Sequence, residues 1–569
     1  MDYALLILSA LSAVLVLGGC RFAQHADGGA EMHRHPAPDD PLLARAVAML
    51  DDGDAEGLRW LLAEHPGLVE QRLAGGHEMY EKGYFRGAML LHFVAANPLF
   101  EGERLPSNLV EIAGVILDAG AEVDAGCGEA GEGTTLGLVA SGMLARVNGL
   151  QEPLIRLLVE RGADPDRAIG GALGQGEIDA ARLLIELGAE KTLPVYAAFN
   201  EPQAVKRIVQ QENPSERERR LALAYAALFG HKDPIFYLCS ADYGDTPNDF
   251  NPEGAHAHAT PLHLAAYHGH LDAARELVKW GARLETKDKL WGSIPRGWAE
   301  YGGHPEIVAL LDEAAAVVPV VHAALAGDLE TLGAILDQEP HWLDAELPIF
   351  GGTLVGNLCY LNNRRTAPGR TIRFLVEGGA SVEQAGPGES YLHIAASDGS
   401  AELGIQCIDA LLDAGADIDV LGGVMTGGTP LHNATIFQLR EIGAHLIERG
   451  ATVDLVLAAG NGRFDLVEAM FDETGNRRAD APRVPHYQEE KTAQHDINWA
   501  FWMAGKAGDV QTLAFLYPKI DELVTIPGPS NVVDQAVQYG RAEAEAWLRV
   551  QGLVSQAERD ALRHTEGGE

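Results

Sequence analysis

The chain has 569 residues, and 43 Lys and Arg against 82 Asp and Glu leave a formal net charge of −39. With 47% hydrophobic and 22% charged residues the composition is globular, so the length corresponds to about four ordinary domains or one long repeat array, not a disordered chain. So large an acidic excess excludes a non-specific nucleic-acid binder and a protein spread on an anionic membrane surface, because both need a basic face.

In chain order, the first feature is an uncharged stretch from Tyr3 to Cys20, almost wholly apolar between Ala4 and Leu17. It ends Leu17-Gly18-Gly19-Cys20, which resembles a bacterial lipobox, with Cys20 as the lipidated residue. Asp2 stands where a signal peptide normally carries Lys or Arg, so residues 1–20 are expected to be either a signal peptide or an uncleaved membrane anchor. A buried capping helix is the remaining alternative. Arg21 to Pro41 is polar and rich in Gly, His and Pro, and is expected to be a flexible tether. The implied location is a membrane-anchored lipoprotein facing the periplasm or cell exterior; the alternative is cytoplasmic.

Self-similarity dominates the rest. The clearest unit runs Thr260-Pro261-Leu262-His263 through Ala265-Ala266, Gly269-His270 and Leu277-Val278 to Gly281-Ala282. About 34 residues on, Pro295, Ala299 and His304 repeat the frame of Pro261, Ala265 and His270. Weaker openings recur at Leu90-Leu91-His92, Tyr391-Leu392-His393 and Thr429-Pro430-Leu431-His432. Closing glycines recur at Gly120, Gly162, Gly188, Gly379, Gly415 and Gly450. Thr260 can cap a helix opened by Pro261, and His263 lies three residues on, where a polar side chain reaches back to the cap. Gly269 and Gly281 can supply left-handed turns at the ends of two helices.

These motifs resemble the ankyrin repeat over most of residues 42–552. The resemblance implies an all-α solenoid of helix–turn–helix repeats with finger loops. Thr260, Pro261, His263, Gly269, Gly281, His393, Thr429, Pro430 and His432 then have structural roles. A second level of order pairs Gly53-Asp54 with Gly327-Asp328, Gly120 with Gly379, Gly162 with Gly415 and Gly188 with Gly450. Two related arrays are therefore expected, 42–314 and 319–552, with an apolar seam at Val317 to Val321 and a disordered tail at 553–569. The Thr260 repeat is expected to have no counterpart in the second array.

Candidate chemistry is sparse. Five cysteines, Cys20, Cys127, Cys239, Cys359 and Cys407, form no C-x-x-C pair, which excludes a zinc ribbon or a thioredoxin motif. His256, His258, His263, His268 and His270 invite a metal reading, but His263 and His270 already have repeat positions. Gly126 to Gly131 spells G-x-G-x-x-G after a finger rather than a strand, and the other glycine-rich loops lack a phosphate-binding Lys. Asp164/Asp166 and Asp417/Asp419 read as turn formers. The expectation is no catalytic, cofactor or metal site. Insertions at 97–108, 239–258 and 362–370 stand either on a binding face or across a register change.

The reading is a non-enzymatic protein–protein interaction scaffold held at a membrane, its protein partner and oligomeric state left open. The alternatives are an inhibitor or immunity partner of a toxin or exported enzyme, and a metal-binding or enzymatic protein.

Overall fold

The computed structural model describes residues 32–559, apart from 76, 82, 97–103, 129–130, 132, 241–246, 361–365, 384–388, 423–426, 485–491 and 524–530. Cys20, the segment 1–31 and most of the tail expected at 553–569 lie outside the described residues. Among those described, the structure is helical, and β pairing is confined to isolated bridges at Met32 with Arg104, Cys127 with Gly133 and Phe471 with Arg477.

The chain divides into two units at Ala316–Val317. In the first, helices follow one another in pairs: Pro41–Asp52 with Ala55–Glu64, Leu90–Ala95 (a 3-10 helix) with Leu109–Asp118, and Thr135–Ala140 with Gln151–Glu160. Asp166–Gly174 with Ile178–Glu186, Leu193–Ala198 with Pro202–Gln211, and Glu216–Phe229 with Lys232–Ser240 come next. Pro261–Tyr267 with Leu271–Lys279, and Pro295–Gly302 with the start of Pro305–Ala326, complete the unit. First helices stack on first helices, Leu193–Ala198 on Glu216–Phe229 on Pro261–Tyr267 on Pro295–Gly302. Second helices stack in the same order, Pro202–Gln211 on Lys232–Ser240 on Leu271–Lys279.

The second unit opens with the end of Pro305–Ala326, followed by Leu329–Gln338. The pairs Leu354–Cys359 with Pro368–Glu377, Tyr391–Ala395 with Ala401–Asp413, and Pro430–Ile436 with Arg440–Glu448 come next. Leu455–Gly460 with Phe464–Ala469, Ala493–Ala507 with Val510–Leu516, and Val532–Gln538 with Ala542–Val550 end it. The core of the last repeats is built from Phe501, Trp502, Leu513, Val532 and Leu548, all buried.

Local chemistry explains these helices. Pro41, Pro202, Pro261, Pro295, Pro368 and Pro430 lie at the first turn, where a missing N–H costs no helical bond. Ala265 and Ala266 are fully buried and end at Cβ, so neighbouring first helices approach closely. Leu277 and Val278 form the buried stripe of the second helix.

The internal duplication shows in the caps. Asp54 Oδ1 accepts the Gly57 N–H at 2.8 Å and Asp328 Oδ1 accepts the Thr331 N–H at 3.1 Å, each opening a helix of 10 residues. The later repeats align differently from the sequence reading. Glu216–Phe229 has 14 residues and Ala493–Ala507 has 15, and both stop at a left-handed glycine, Gly230 (φ +80°) and Gly508 (φ +79°). The pair that follows each starts a second helix of 9 residues, at Leu271 and at Ala542. The Thr260 repeat therefore corresponds to the Val532–Val550 repeat, and it is the Pro295 repeat that lacks a counterpart. The T-P-L-H signature is missing at Val532, where Asn531 caps the helix instead, so the match was hidden in the sequence.

One other expectation changes. The tether composition of 21–41 does not hold for its second half, because Met32 to Asp40 lies against the first repeat. His35 N–H and Nδ1 bond Asp51 at 2.8 and 2.6 Å, the His33 N–H donates to Arg104 O at 2.8 Å, and Tyr80 Oη donates to Pro36 O at 2.8 Å. Asp51, at the end of the first helix, is only 3% exposed, and a carboxylate so buried needs such partners. The apolar seam Val317 to Val321 lies within the 22-residue helix Pro305–Ala326, with Pro319 in its interior and Val317, Val320 and Val321 buried. Among the described residues this helix has the length and composition to cross a membrane; its Ile307, Leu311, Ala314 and Val320 are buried, as in a core helix.

Candidate binding surface

The histidines of these repeat openings bond the cap of their own helix, and His92, His263 and His393 also reach a backbone carbonyl further along the chain. His263 Nδ1 accepts the Thr260 N–H at 3.2 Å and the Thr260 hydroxyl at 2.8 Å, while its Nε2–H donates to Ser293 O at 3.1 Å, 30 residues on. His92 accepts from the Met89 N–H at 3.1 Å and donates to Ala125 O at 3.0 Å. His393 meets the Ser390 hydroxyl at 2.8 Å and donates to Gly428 O at 2.9 Å. His432 accepts the Thr429 N–H at 3.1 Å, and Pro430 opens that helix. This bonding requires the neutral imidazole with its proton on Nε2. Burial pushes His263 down to about 4, against the opposing pull of Ser293 O and Asp288.

A second set of side chains points the other way. His270 Nε2–H donates to Leu228 O at 2.8 Å and His231 Nε2–H to Ala198 O at 3.0 Å, each in the preceding repeat. The His270 ring lies over Gly230 and the His304 ring over Gly269 (φ +79°), where an added Cβ would come within 2.6 and 2.5 Å of the rings. Gly281 takes φ +85° after the next helix. The sequence placed His270 after a turn glycine; it gave no sign that the ring covers the glycine of the repeat before it.

The finger carboxylates divide their work. Asp164 Oδ1 and Asp417 Oδ1 accept the N–H two residues on, at 3.0 Å, as turn formers. Their partners reach the next finger: Asp166 to the Glu190 N–H at 2.6 Å, and Asp419 to the Thr452 N–H at 2.9 Å and its hydroxyl at 2.6 Å. Asp124 meets the Asp164 N–H at 3.0 Å and Asp344 the Ser381 N–H at 2.8 Å. Asn248, inside the 239–258 insertion, does the same for the Arg283 N–H at 2.6 Å and donates to Gly281 O at 2.9 Å. The described part of that insertion is thus tied inward as a finger.

Other sequence candidates take structural positions. The Gly126 to Gly131 string stands at an isolated bridge, with Cys127 N–H to Gly133 O at 2.7 Å and the reverse bond at 3.0 Å. His258 is only 7% exposed and sits edge-on between Trp291 and His256, with Trp298 at 5.8 Å. Burial brings His256, His258 and His268 down to about 4. Among the described residues no three His, Cys, Asp or Glu side chains are grouped to hold a metal ion.

Aromatic side chains face outward in the last repeats of the first unit. Tyr301 is 70% and Trp291 44% exposed. They are joined through Trp298 and Tyr267: Trp291 to Trp298 at 5.6 Å, Trp298 to Tyr267 at 6.0 Å, and Tyr267 stacked on Tyr301 at 6.4 Å. Trp298 is itself held by its Nε1–H to Asp288 Oδ2 at 3.1 Å. The row is fixed from below and open above.

Comparison with known proteins places these repeats. A family model described as ankyrin repeats (3 copies) matches residues 194–288. Cyclin-dependent kinase inhibitor 2A of Monodelphis domestica is 41% identical over 71 residues, 12% of this chain and 39% of that protein. Cyclin-dependent kinase 4 inhibitor B of Rattus norvegicus is 29% identical over 153 residues, 27% of this chain and 96% of that protein. The chain thus spans well under half the length of the first relative and nearly all of the second. A crystal structure of the human ASB11 ankyrin repeat domain shares 21% identity and a TM-score of 0.18, covering 46% of this chain and 99% of its own. The fold formed by the described residues is an all-α solenoid of ankyrin repeats.

Proposed function

We propose that the protein is a protein-binding scaffold whose first-unit contact surface includes Trp291, Tyr267 and Tyr301. The observation that carries this is the division of labour among side chains. His92, His231, His263, His270, His393 and the finger carboxylates are bonded between repeats, whereas Trp291 and Tyr301 stay exposed on a rigid support. Such preorganised aromatics are the usual anchors of protein interfaces. Tyr301→Ala and Trp291→Ala should each weaken capture of the native partner about tenfold while the unfolding midpoint stays put. Equal capture by both variants and wild type would remove the surface from consideration.

The N-terminus supports membrane attachment through lipid on Cys20, on the strength of the Leu17-Gly18-Gly19-Cys20 sequence. Cys20→Ser should block lipid labelling and membrane partition in a bacterium with lipoprotein processing. Partition without label in the wild type would instead indicate an uncleaved anchor. A second reading, an inhibitor that covers an enzyme, draws on the relatives, both named as kinase inhibitors. An immunity partner of a toxin is one form of it. Loss of a captured enzyme's activity on adding the protein separates inhibitor from passive scaffold.

A further inference from the structure

The internal duplication allows the two units to be compared position by position. Ile178 and Arg440 each open a second helix of 9 residues, ten residues before a left-handed glycine, Gly188 and Gly450. Leu228 and Lys506 each stand two residues before the glycine that ends a long first helix, Gly230 and Gly508. His270 and Arg541 each immediately precede the next second helix. At three equivalent positions the first unit carries Ile, Leu and His, and the second carries Arg, Lys and Arg.

In the second unit these cations gather. Lys506 Nζ donates to Ile436 O at 2.6 Å and lies 4.8 Å from the Tyr539 ring centroid and 5.7 Å from that of Trp502. Arg541 Nε donates to Lys506 O at 3.1 Å and its Nη2 to Gln438 Oε1 at 3.5 Å. Arg440 is close enough to Arg541 for the two charges to repel. Phe437, 42% exposed, stands in the chain between Ile436 and Gln438, the residues that Lys506 and Arg541 bond.

Several other arginines of this acidic unit are paired: Arg373 with Asp413, Arg449 with Asp409 and Asp413, Arg463 with Asp465, Arg549 with Glu545 and Glu558. Among the described residues Arg440, Lys506 and Arg541 have no such partner; Asp509, the nearby carboxylate, is bonded to Thr512 N–H and Oγ1. The structural duty of Arg541 does not call for charge, since neutral His270 makes the same bond to the preceding repeat. Three cations beside one carboxylate leave a local excess of positive charge that a further anion offsets. Lys506 is only 5% exposed, and burial lowers its ammonium to about 8.

We propose that Arg440, Lys506 and Arg541, bordered by Phe437 and Tyr539, form the docking corner for an acidic segment of the protein partner. The proposal rests on the scaffold reading above and adds the chemistry of what is bound. Charge complementarity selects the occupant: in a chain of net charge −39, a corner where Arg440 and Arg541 stand over the buried Lys506 with one carboxylate nearby attracts acidic side chains while the rest of the surface repels them.

The test uses the full chain at pH 7, where Lys506 is still charged, and a fluorescein-labelled peptide of roughly a dozen residues, rich in Glu and Asp with one Phe, read by anisotropy. A control peptide carries Gln and Asn instead. Arg440→Gln removes an exposed charge, and Arg541→His installs the first unit's own neutral solution. Each should weaken the acidic peptide about tenfold, with unchanged unfolding midpoints, and the control peptide should not bind. Equal affinity of wild type and both variants overturns the proposal, as does binding of the control peptide. Displacement by millimolar inorganic phosphate alone would mark a small-anion site and also overturn it. A native partner lost in Tyr301→Ala but retained by both corner variants rejects the corner and leaves the scaffold intact. Acidic peptide bound at the corner with no protein partner for the whole chain rejects the scaffold and leaves the corner.

Discussion

His263 works only as a neutral side chain. Its Nδ1 is filled by two donors from Thr260 and its Nε2–H is given to Ser293 O, so a second proton would face donors rather than an acceptor. Thr260→Val removes one of those donors and is expected to cost about 1 kcal/mol of unfolding free energy, the usual loss at a helix cap. His263→Ala should cost about 2 kcal/mol or more, because it strands a buried N–H and a carbonyl in different repeats at once. Urea denaturation of the two variants distinguishes them. If the His263 variant loses no more than the Thr260 variant, the bond across the repeats is not stabilising. The capping half of this arrangement was legible from T-P-L-H spacing. The far acceptor, Ser293, was not, since nothing in local sequence marks a backbone carbonyl 30 residues away.

Among the elements, fingers and turns differ in how they join neighbours. A finger is joined by a single carboxylate, as with Asp166 and the Glu190 N–H, at an exposed position. Asp166→Ala should therefore cost about 1 kcal/mol or less and raise amide exchange near Glu190 alone. A turn is joined by a ring laid on a glycine. At Gly269 an added Cβ meets His304 and also suffers φ +79°, whereas at Gly188 (φ +114°) nothing lies within 4 Å. Gly188→Ala should show only the left-handed penalty of about 1 kcal/mol, and Gly269→Ala clearly more. Equal losses at the two would mean that His304 swings away freely. Sequence showed both glycines as helix ends, but it showed them as equivalents. What separates them is the histidine from the following repeat, a contact that periodicity implies only after the register of stacking is known. The same limit hid the kinship of the Thr260 and Val532 repeats, whose caps use different residues for one geometry. It also hid Met32 to Asp40, read as tether because composition reports solubility and not the buried Asp51 awaiting partners.

At the scale of the whole molecule, histidine chemistry sets the two units apart. In the first, burial lowers His92, His231, His256, His258, His263, His268 and His270 from the ordinary 6.5, several to about 4. In the second, His393 is lowered in the same way, while burial raises the Asp454 carboxyl. A histidine with a depressed folded pKa binds its proton more readily when unfolded. Its contribution is intact above pH 6.5, declines as the pH falls below that value, and is gone once the folded pKa is passed near 4. A raised carboxyl has the opposite sign, since the folded state then takes up its proton first and gains stability as the medium acidifies. Between pH 6.5 and 4 the first unit should therefore weaken more steeply than the second. Hydrogen exchange, corrected for the intrinsic rate at each pH, should show residues 193–315 losing protection before 391–550 as the pH is lowered from 7 to 5. His258→Phe with His268→Phe, two substitutions that cannot be protonated, should flatten the response of the first unit, because the stacked repeats interact chiefly with neighbours. Loss of protection in both regions at one pH, or an unchanged slope in the double variant, would show that these histidines do not control the acid response of the fold.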